Sequence, residues 1–388
     1  MKIALVHDYL SEAGGAERVL AVLSEMYPEA PIYTAFAKRG TAIKILENSK
    51  KRIVESKWAW LLKQGRLYST LRFLLPLVWR SVDLTAYDVV ITSCSGYIAR
   101  GFRTRRDARV IAYCHTPPRW LYGYETPTAA QRTWWGKLYL WLVGPWMRVF
   151  DYHSAERVDA WVANSREVAG RIKKFYRREA SVVYPPVEIQ DSRNKIQEKR
   201  NKKKETRGAY YLTVARLVGG KGLLEAARAV AALGRTLKIV GEVLDPRLAS
   251  ALKQYAPQVE LVGRVSDEEL ITLYSHAGAF IALSKDEDFG MTLVEAMQCG
   301  TPVIAYRGGG YVETVLEKSQ IQNSKSKTKW VATGVFVEDT GAAAIGRAIA
   351  QVEKTTWDHQ GIARWGHTFG SARFERAIRE IVRTKPGL

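Results

Sequence analysis

The chain has 388 residues, 47% of them hydrophobic, and a formal net charge of +20 at pH 7. That length and apolar content suffice for two domains with their own cores, and the charge calls for a polyanionic neighbour, whether nucleic acid, an anionic membrane surface or a phosphorylated metabolite. Cys94, Cys114 and Cys299 show no C-x-x-C spacing, which argues against a structural metal site and for a reducing compartment.

The chain opens on KIALVHDY, an apolar strand behind a single lysine rather than a secretion signal. GAERVLAVLSEMY follows with helical periodicity, and then come the strand-like runs APIYTAF, DVVITSC, RVIAYCH and AWVANS. Two segments interrupt them, residues 57–80 and 134–150, both rich in aromatic, leucine and basic residues. No stretch reaches the roughly 18 apolar residues that a spanning helix needs, so the expected location is cytoplasmic. Beyond Pro185 and Pro186, residues 193–204 hold seven basic residues and one acid, which reads as a solvated linker or insertion. Residues 319–329 read as a second polar insertion. Between and after these come YYLTVAR, LKIVGE, VELVGRV, AFIALS and TPVIAY, alternating with helical stretches such as GLLEAARAVAAL and DEELITLYSHA. Continuous apolar strands with helical crossovers imply parallel sheets covered on both faces, here two doubly wound Rossmann-like domains facing a central cleft.

Ligands in such sheets sit at the carboxyl ends of the strands, and SKDEDFGMTLVEAMQCG (residues 284–300) occupies one of them. It is a loop carrying Glu287, then a helix start at Thr292 and Leu293 whose N–H groups are expected unpaired and suited to phosphate, then Glu295 one turn in. Thr292 and Glu295 also fit a capping box, and Glu287 a solvated loop charge. The triplet of Asp286, Glu287 and Asp288 lacks other ligand-spaced residues, so no metal is expected. A second strand end, ARLVGGKG, places Arg216 and Lys221 around a Gly-Gly turn, two cations suited to a diphosphate. RGGGYVETV (residues 307–315) adds a third phosphate-compatible turn.

In the order ARLVGGKG, VGRVSDEEL, EDFGMTLVEAMQCGTPVIAY and GGG-x-x-E, the chain resembles the donor domain of the family 4 retaining glycosyltransferases of GT-B fold. HDYLSEAGGAERVL and AYCHTPPRWLY resemble the O-antigen mannosyltransferase-like subgroup. The resemblance implies an N-terminal acceptor-binding domain (1–186), a basic linker (187–206), a donor-binding domain (207–370) and a final helix (371–388) packing back on the first domain. It assigns Arg216 and Lys221 to the leaving nucleoside diphosphate, Glu287 to the donor sugar and Glu295 to the ribose. The N–H groups near Thr292 and Leu293 would cradle a phosphate, and Gly263, Arg264 and Val265 would border the base. Gly14 and Gly15 would approach the diphosphate and sugar, and His115, otherwise readable as a core histidine, would sit beside the transferred sugar. The implied reaction is retaining transfer of a hexose, mannose from GDP-mannose as the best guess. The leaving phosphate would accept the acceptor's proton, with no cofactor and no metal.

The acceptor is read from the N-terminal half, which carries nine of the twelve tryptophans. Residues 57–80 hold five basic residues and no acid. Basic aromatic segments suit an anionic bilayer interface, each basic residue near it contributing on the order of 1 kcal/mol. Lys63, Arg66 and Arg72 are the expected bilayer-facing cations, ordinary core helices being the alternative. A lipid-linked or oligosaccharide acceptor at the inner face of a membrane, in cell-surface polysaccharide synthesis, would account for both features. Two rivals remain: a nucleic-acid-binding protein, against which no nucleic-acid motif is found, and a GT-B-type sugar-nucleotide epimerase.

Overall fold

The computed structural model describes residues 1–11, 14–38, 40, 52–64, 67–124, 133–189, 208–322 and 330–384. Arg66, the basic run from 190 to 207 and most of the second polar insertion, 323–329, lie outside the described residues. The chain divides into two compact units, Met1–Pro186 with Ser371–Leu388, and Val187–Gly370.

The first unit is built on seven parallel strands in the order β3-β2-β1-β4-β5-β6-β7. They are β1 (Ile3–His7), β2 (Ile32–Thr34), β3 (Ile53–Glu55), β4 (Val89–Cys94), β5 (Arg109–Cys114), β6 (Ala160–Ala163) and β7 (Ala180–Val182). β4 and β5 are buried almost throughout, as central parallel strands covered on both faces must be. The short edge strands β3 and β7 escape sequence reading because three residues carry no clear period. Helix α1 (Gly15–Met26) follows β1, and α2 (Trp134–Glu156) and α3 (Arg166–Tyr176) flank β6. Residues 57–80 become short helical pieces, Ala59–Leu62, Leu67–Thr70, Leu71–Leu74 and Leu75–Arg80. Their Leu62, Leu75, Val78 and Trp79 are buried, so much of this segment is core.

The second unit repeats the plan with six parallel strands in the order β10-β9-β8-β11-β12-β13. These are β8 (Tyr211–Val214), β9 (Leu237–Val240), β10 (Val259–Gly263), β11 (Ala279–Ala282), β12 (Val303–Tyr306) and β13 (Gly334–Val337). Its helices are α4 (Leu223–Ala232), α5 (Pro246–Lys253), α6 (Asp267–His276), α7 (Met291–Gln298), α8 (Ala342–Lys354) and α9 (His359–His367). Val187 is tied into this unit, its N–H donating to the Phe369 carbonyl at 2.9 Å and its carbonyl accepting from Gln298 at 2.6 Å. The last helix, α10 (Ser371–Arg383), returns to the first unit. Phe374, Ile378 and Val382, four residues apart, fall on one face and join the core formed by α1, Leu5, Ile91 and Ile111. In both sheets the order reverses once, between β1 and β4 and between β8 and β11, and there the strand ends part to leave room for a ligand.

Candidate functional site

In the second unit the reversal point gathers residues far apart in the chain. The turn after β8 carries Lys221 and the loop after β11 carries Glu287, and Lys221 Nζ donates to Glu287 Oε2 at 2.8 Å across 66 positions of sequence. Both side chains are partly buried. A lysine here is a compact charge held by one carboxylate, ready to exchange that partner for a stronger anion. Arg216, five residues earlier, is exposed beyond the end of β8.

The Glu287 loop is fixed by the glycine turn after β12. Gly310 N–H donates to the Glu287 carbonyl at 2.8 Å. A Cβ on Gly310 would lie 2.4 Å from Phe289 Cα, and one on Gly309 (φ +54°) would lie 2.3 Å from the Glu287 carbonyl oxygen. Only glycine permits that approach. The third phosphate-compatible turn is thus occupied in holding its neighbour. Arg307 beside it is spent on structure, paired with Glu317 at 2.7 Å and Glu338 at 2.5 Å over the Phe336 ring.

Helix α7 starts differently from either sequence expectation. Its N-cap is Gly290, in the left-handed region at φ +92° and without a side-chain cap bond, so Thr292 and Glu295 form no capping box. The Leu293 N–H donates to the Gly290 carbonyl at 3.1 Å and is therefore paired, contrary to expectation. Met291 and Thr292 precede Leu293, whose N–H is the first intrahelical donor. Glu295 is buried, its Oε2 accepting from the Tyr274 hydroxyl at 2.9 Å. A cavity of about 360 Å³ opens beside Gly263, lined mainly by apolar side chains including Leu217, Val243 and Pro246. Arg264 is paired with Glu242 at 2.7 Å, and Val265 is partly buried. Among the described residues no group of three His, Cys, Asp or Glu side chains is placed to hold a metal ion.

In the first unit the reversal point holds a polar chain that sequence reading missed. Gly14, extended at φ −112°, is the N-cap of α1 and Gly15 its first residue. The Gly14 N–H donates to Glu17 Oε2 at 2.9 Å. Glu17 Oε1 lies 3.7 Å from His7 Nε2, too long for a hydrogen bond but within ion-pair distance. His7 Nδ1 lies 3.0 Å from Ser93 Oγ, which lies 2.8 Å from His115 Nε2. Burial works to raise the Glu17 carboxyl, but His7 and the Gly14 amide hold it below its usual range. The Ser93 hydroxyl, with one proton to give and lone pairs to receive, thus bridges His7 Nδ1 and His115 Nε2, and the Nδ1 atom of His115 takes no part in that bridge. Burial, and then the neighbouring His7, push the His115 pKa down to about 3, against a smaller upward pull from Glu17. The imidazole is therefore neutral at physiological pH. The only sequence signal for this chain was polar residues ending apolar strands.

The segment after His115 is anchored from below. Asp151 of α2, fully buried, accepts from Arg100 Nη2 and, at 2.7 Å, from the Tyr122 hydroxyl. Arg100 also stacks over Trp161 and Tyr176. Two of the cations expected to face a bilayer are engaged within the unit: Lys63 pairs with Glu55 at 2.7 Å, and Arg72 stacks on Trp120 at 5.2 Å.

Residues 13–191 match the family model described as Glycosyltransferase Family 4, and residues 194–362 the one described as Glycosyl transferases group 1. The D-inositol 3-phosphate glycosyltransferase of Mycolicibacterium smegmatis is 32% identical over 117 residues, 29% of this chain but 25% of that protein. The match thus spans about a quarter of that relative's length. The alpha-1,3/1,6-mannosyltransferase ALG2 of Saccharomyces cerevisiae is 23% identical over 435 residues, covering 98% of this chain and 84% of its own. Among solved structures, HepE of Anabaena in complex with UDP and glucose aligns at TM-score 0.66 and 17% identity, over 99% of this chain and 100% of that one. Sucrose-phosphate synthase from Thermosynechococcus elongatus aligns at 0.67 and 16%, over 99% and 98%.

Proposed function

The chain belongs to the group 1 glycosyltransferases and has their GT-B fold, two Rossmann-like domains in one chain, and from that premise we propose that it transfers a hexose with retention from a nucleotide sugar to a glycan or lipid-linked glycan. The donor favoured is GDP-mannose, on the strength of the likeness to ALG2 over almost the whole chain and of the HTPPRWLY segment. The setting favoured is cell-surface polysaccharide synthesis at the inner face of a membrane, because the first unit concentrates the tryptophans and cations that such an acceptor would need nearby.

The observation that carries this reading is the Lys221–Glu287 pair at the reversal point of the second sheet. A diphosphate arriving there competes with the carboxylate for Lys221, and Arg216 adds a second cation. Glu287, relieved of its partner, then accepts from hydroxyls of the donor sugar. Positive charge held in place before reaction stabilises the charge that develops on the departing diphosphate. The apolar cavity beside Gly263 takes the base, and Glu295 accepts from the ribose beside its Tyr274 bond. In the first unit neutral His115, its Nε2 held by Ser93, offers its other ring nitrogen to a sugar hydroxyl as a hydrogen-bond partner. The leaving phosphate accepts the acceptor's proton, so no carboxylate need act as a covalent nucleophile.

Calorimetric titration with UDP- and GDP-linked glucose and mannose tests the donor, GDP-mannose being expected to bind tightest. Lys221→Ala loses a charge-assisted contact of about 1.5–3 kcal/mol, or about 10- to 150-fold in kcat/KM. A folded Lys221→Ala variant with near-normal kcat/KM would overturn the reading.

A further inference from the structure

Helix α2 presents an unusual face. Trp134, Trp135, Leu138, Trp141, Leu142 and Trp146 recur at the spacing of one helical stripe, and all are exposed, Trp134 at 62%, Trp141 at 73% and Trp146 at 59%. The opposite face, with Gly144, Met147, Asp151 and Ala155, is buried in the unit. The stripe is therefore surplus to the core. A soluble surface carries single exposed apolar residues without consequence, but a continuous row of large aromatics marks a surface meant to be covered.

The charge around the stripe identifies what covers it. Between Thr126 and Phe150 the sequence has no acidic residue, while Arg132, Lys137 and Arg148 are basic, the last two exposed along the stripe's flank. Tyr139 donates to the Thr70 carbonyl at 2.8 Å, which brings the neighbouring segment with exposed Phe73 and Leu77 beside the helix. Tryptophan pairs an apolar body with an N–H that stays hydrated, and basic residues at a helix flank reach lipid phosphates while their stems stay in the apolar layer. A protein partner of ordinary composition would not call for an acid-free rim along the whole stripe, the exposed Glu156 lying at the far end of the helix beyond Trp146; an anionic lipid surface does. No helix among the described residues is long and apolar enough to cross a membrane, and α2, at about 33 Å with one face committed to the core, lies along a surface instead.

We propose that the tryptophan stripe of α2 is a docking surface that lies in the headgroup layer of a bilayer containing anionic lipid. This deepens the acceptor half of the reading above. Of the two segments expected at a bilayer, residues 134–150 supply the stripe, whereas in residues 57–80 the exposed large hydrophobics among the described residues are Trp60, Phe73 and Leu77. The placement has a use: Asp151, on the inner face of the same helix, holds Tyr122 and with it the segment that begins at His115. A helix seated on a bilayer would bring that strand end to a fixed height above the lipid, where a lipid-linked acceptor emerges.

Co-sedimentation with vesicles of phosphatidylcholine, with and without phosphatidylglycerol, tests this with no sugar donor present, so it can fail independently of the transferase reading. The full chain should bind the anionic vesicles, leave them as salt rises, and show tryptophan quenching by lipids brominated high in the acyl chain. Trp134→Ser, Trp141→Ser and Trp146→Ser together should lower binding by at least about tenfold with the melting temperature and nucleotide affinity unchanged. Failure of the wild-type chain to bind, or equal binding by the triple variant, overturns the proposal. So does a lipid-free dimer that the triple variant breaks, since a second copy would then cover the stripe.

Discussion

His115 and Lys221 show how environment, rather than residue type, sets the role of a side chain. Lys221 is a surface-type cation made useful by one carboxylate 2.8 Å away. His115 is kept neutral by burial and by His7, and its Nε2 is held by Ser93, which His7 Nδ1 touches in turn. The depressed pKa has a consequence for stability. The folded state holds His115 unprotonated down to about pH 3, whereas the unfolded chain protonates it near the ordinary histidine value of 6.5. Below that value the unfolded state binds the extra proton, so this contribution is present above about pH 6.5 and is lost as pH falls towards 3. The melting temperature of the wild-type chain should therefore fall more steeply between pH 6.5 and 4 than that of His115→Gln. Parallel curves would show that the ring is not desolvated. His115 was legible as a candidate through the family resemblance of AYCHTPPRWLY; its neutrality was not, since it depends on burial and on His7 from another strand.

At the scale of elements, turns decide where the functional groups stand. The glycines after β12 were legible as a turn but not as a clamp, because a clamp needs the opposite loop to be known. Alanine at position 310 would place its Cβ 2.4 Å from Phe289 Cα and 2.6 Å from the Asp288 carbonyl oxygen, backbone atoms that can yield only if the Glu287 loop moves. Gly310→Ala should thus cost about 1–3 kcal/mol of stability and, by misplacing Glu287 by about 1 Å, up to about 100-fold in turnover. Gly346→Ala is the control: it lies within α8 with only a 3.9 Å contact to Leu233, and alanine there should stabilise by about 0.5–1 kcal/mol. If unfolding and kinetic measurements give the two variants the same modest phenotype, the glycine turn is no clamp. The capping box expected at Thr292 fails for a similar reason. A glycine that can adopt φ +92° ends the loop two residues earlier, and the helix starts there instead.

At the scale of the molecule, the chain leaves the first unit at Pro186 and comes back to it at Ser371. Phe374 packs edge-on to Tyr113 with ring centroids 5.5 Å apart, and Arg109 Nη1 donates to the Val382 carbonyl at 3.0 Å. α10 is therefore part of the first unit's core. Truncating a buried phenylalanine costs about 3–5 kcal/mol, so Phe374→Ala should destabilise the first unit selectively. Hydrogen exchange should rise in β1, β4 and β5 while nucleotide binding by the second unit persists. Uniform loss of protection in both units would show that the two unfold as one.

What the sequence determined by itself is whatever local pattern encodes. Apolar runs such as VVITSC and FIALS can only be buried parallel strands, and Gly-Gly-Lys-Gly after a strand can only be a turn entering a helix, so two Rossmann-like domains and the motifs at their strand ends were readable in order. What the tertiary structure decided is which distant residues meet and which faces remain uncovered. Lys221 meets Glu287 across 66 positions and His7 meets Ser93 across 86, separations at which local pattern carries no information. Charge was the least legible quantity. Arg100, Lys63 and Arg307 look alike in sequence, yet each is consumed by an internal partner, and the tryptophans of α2 become a surface because the other side of the helix is the one the core accepts.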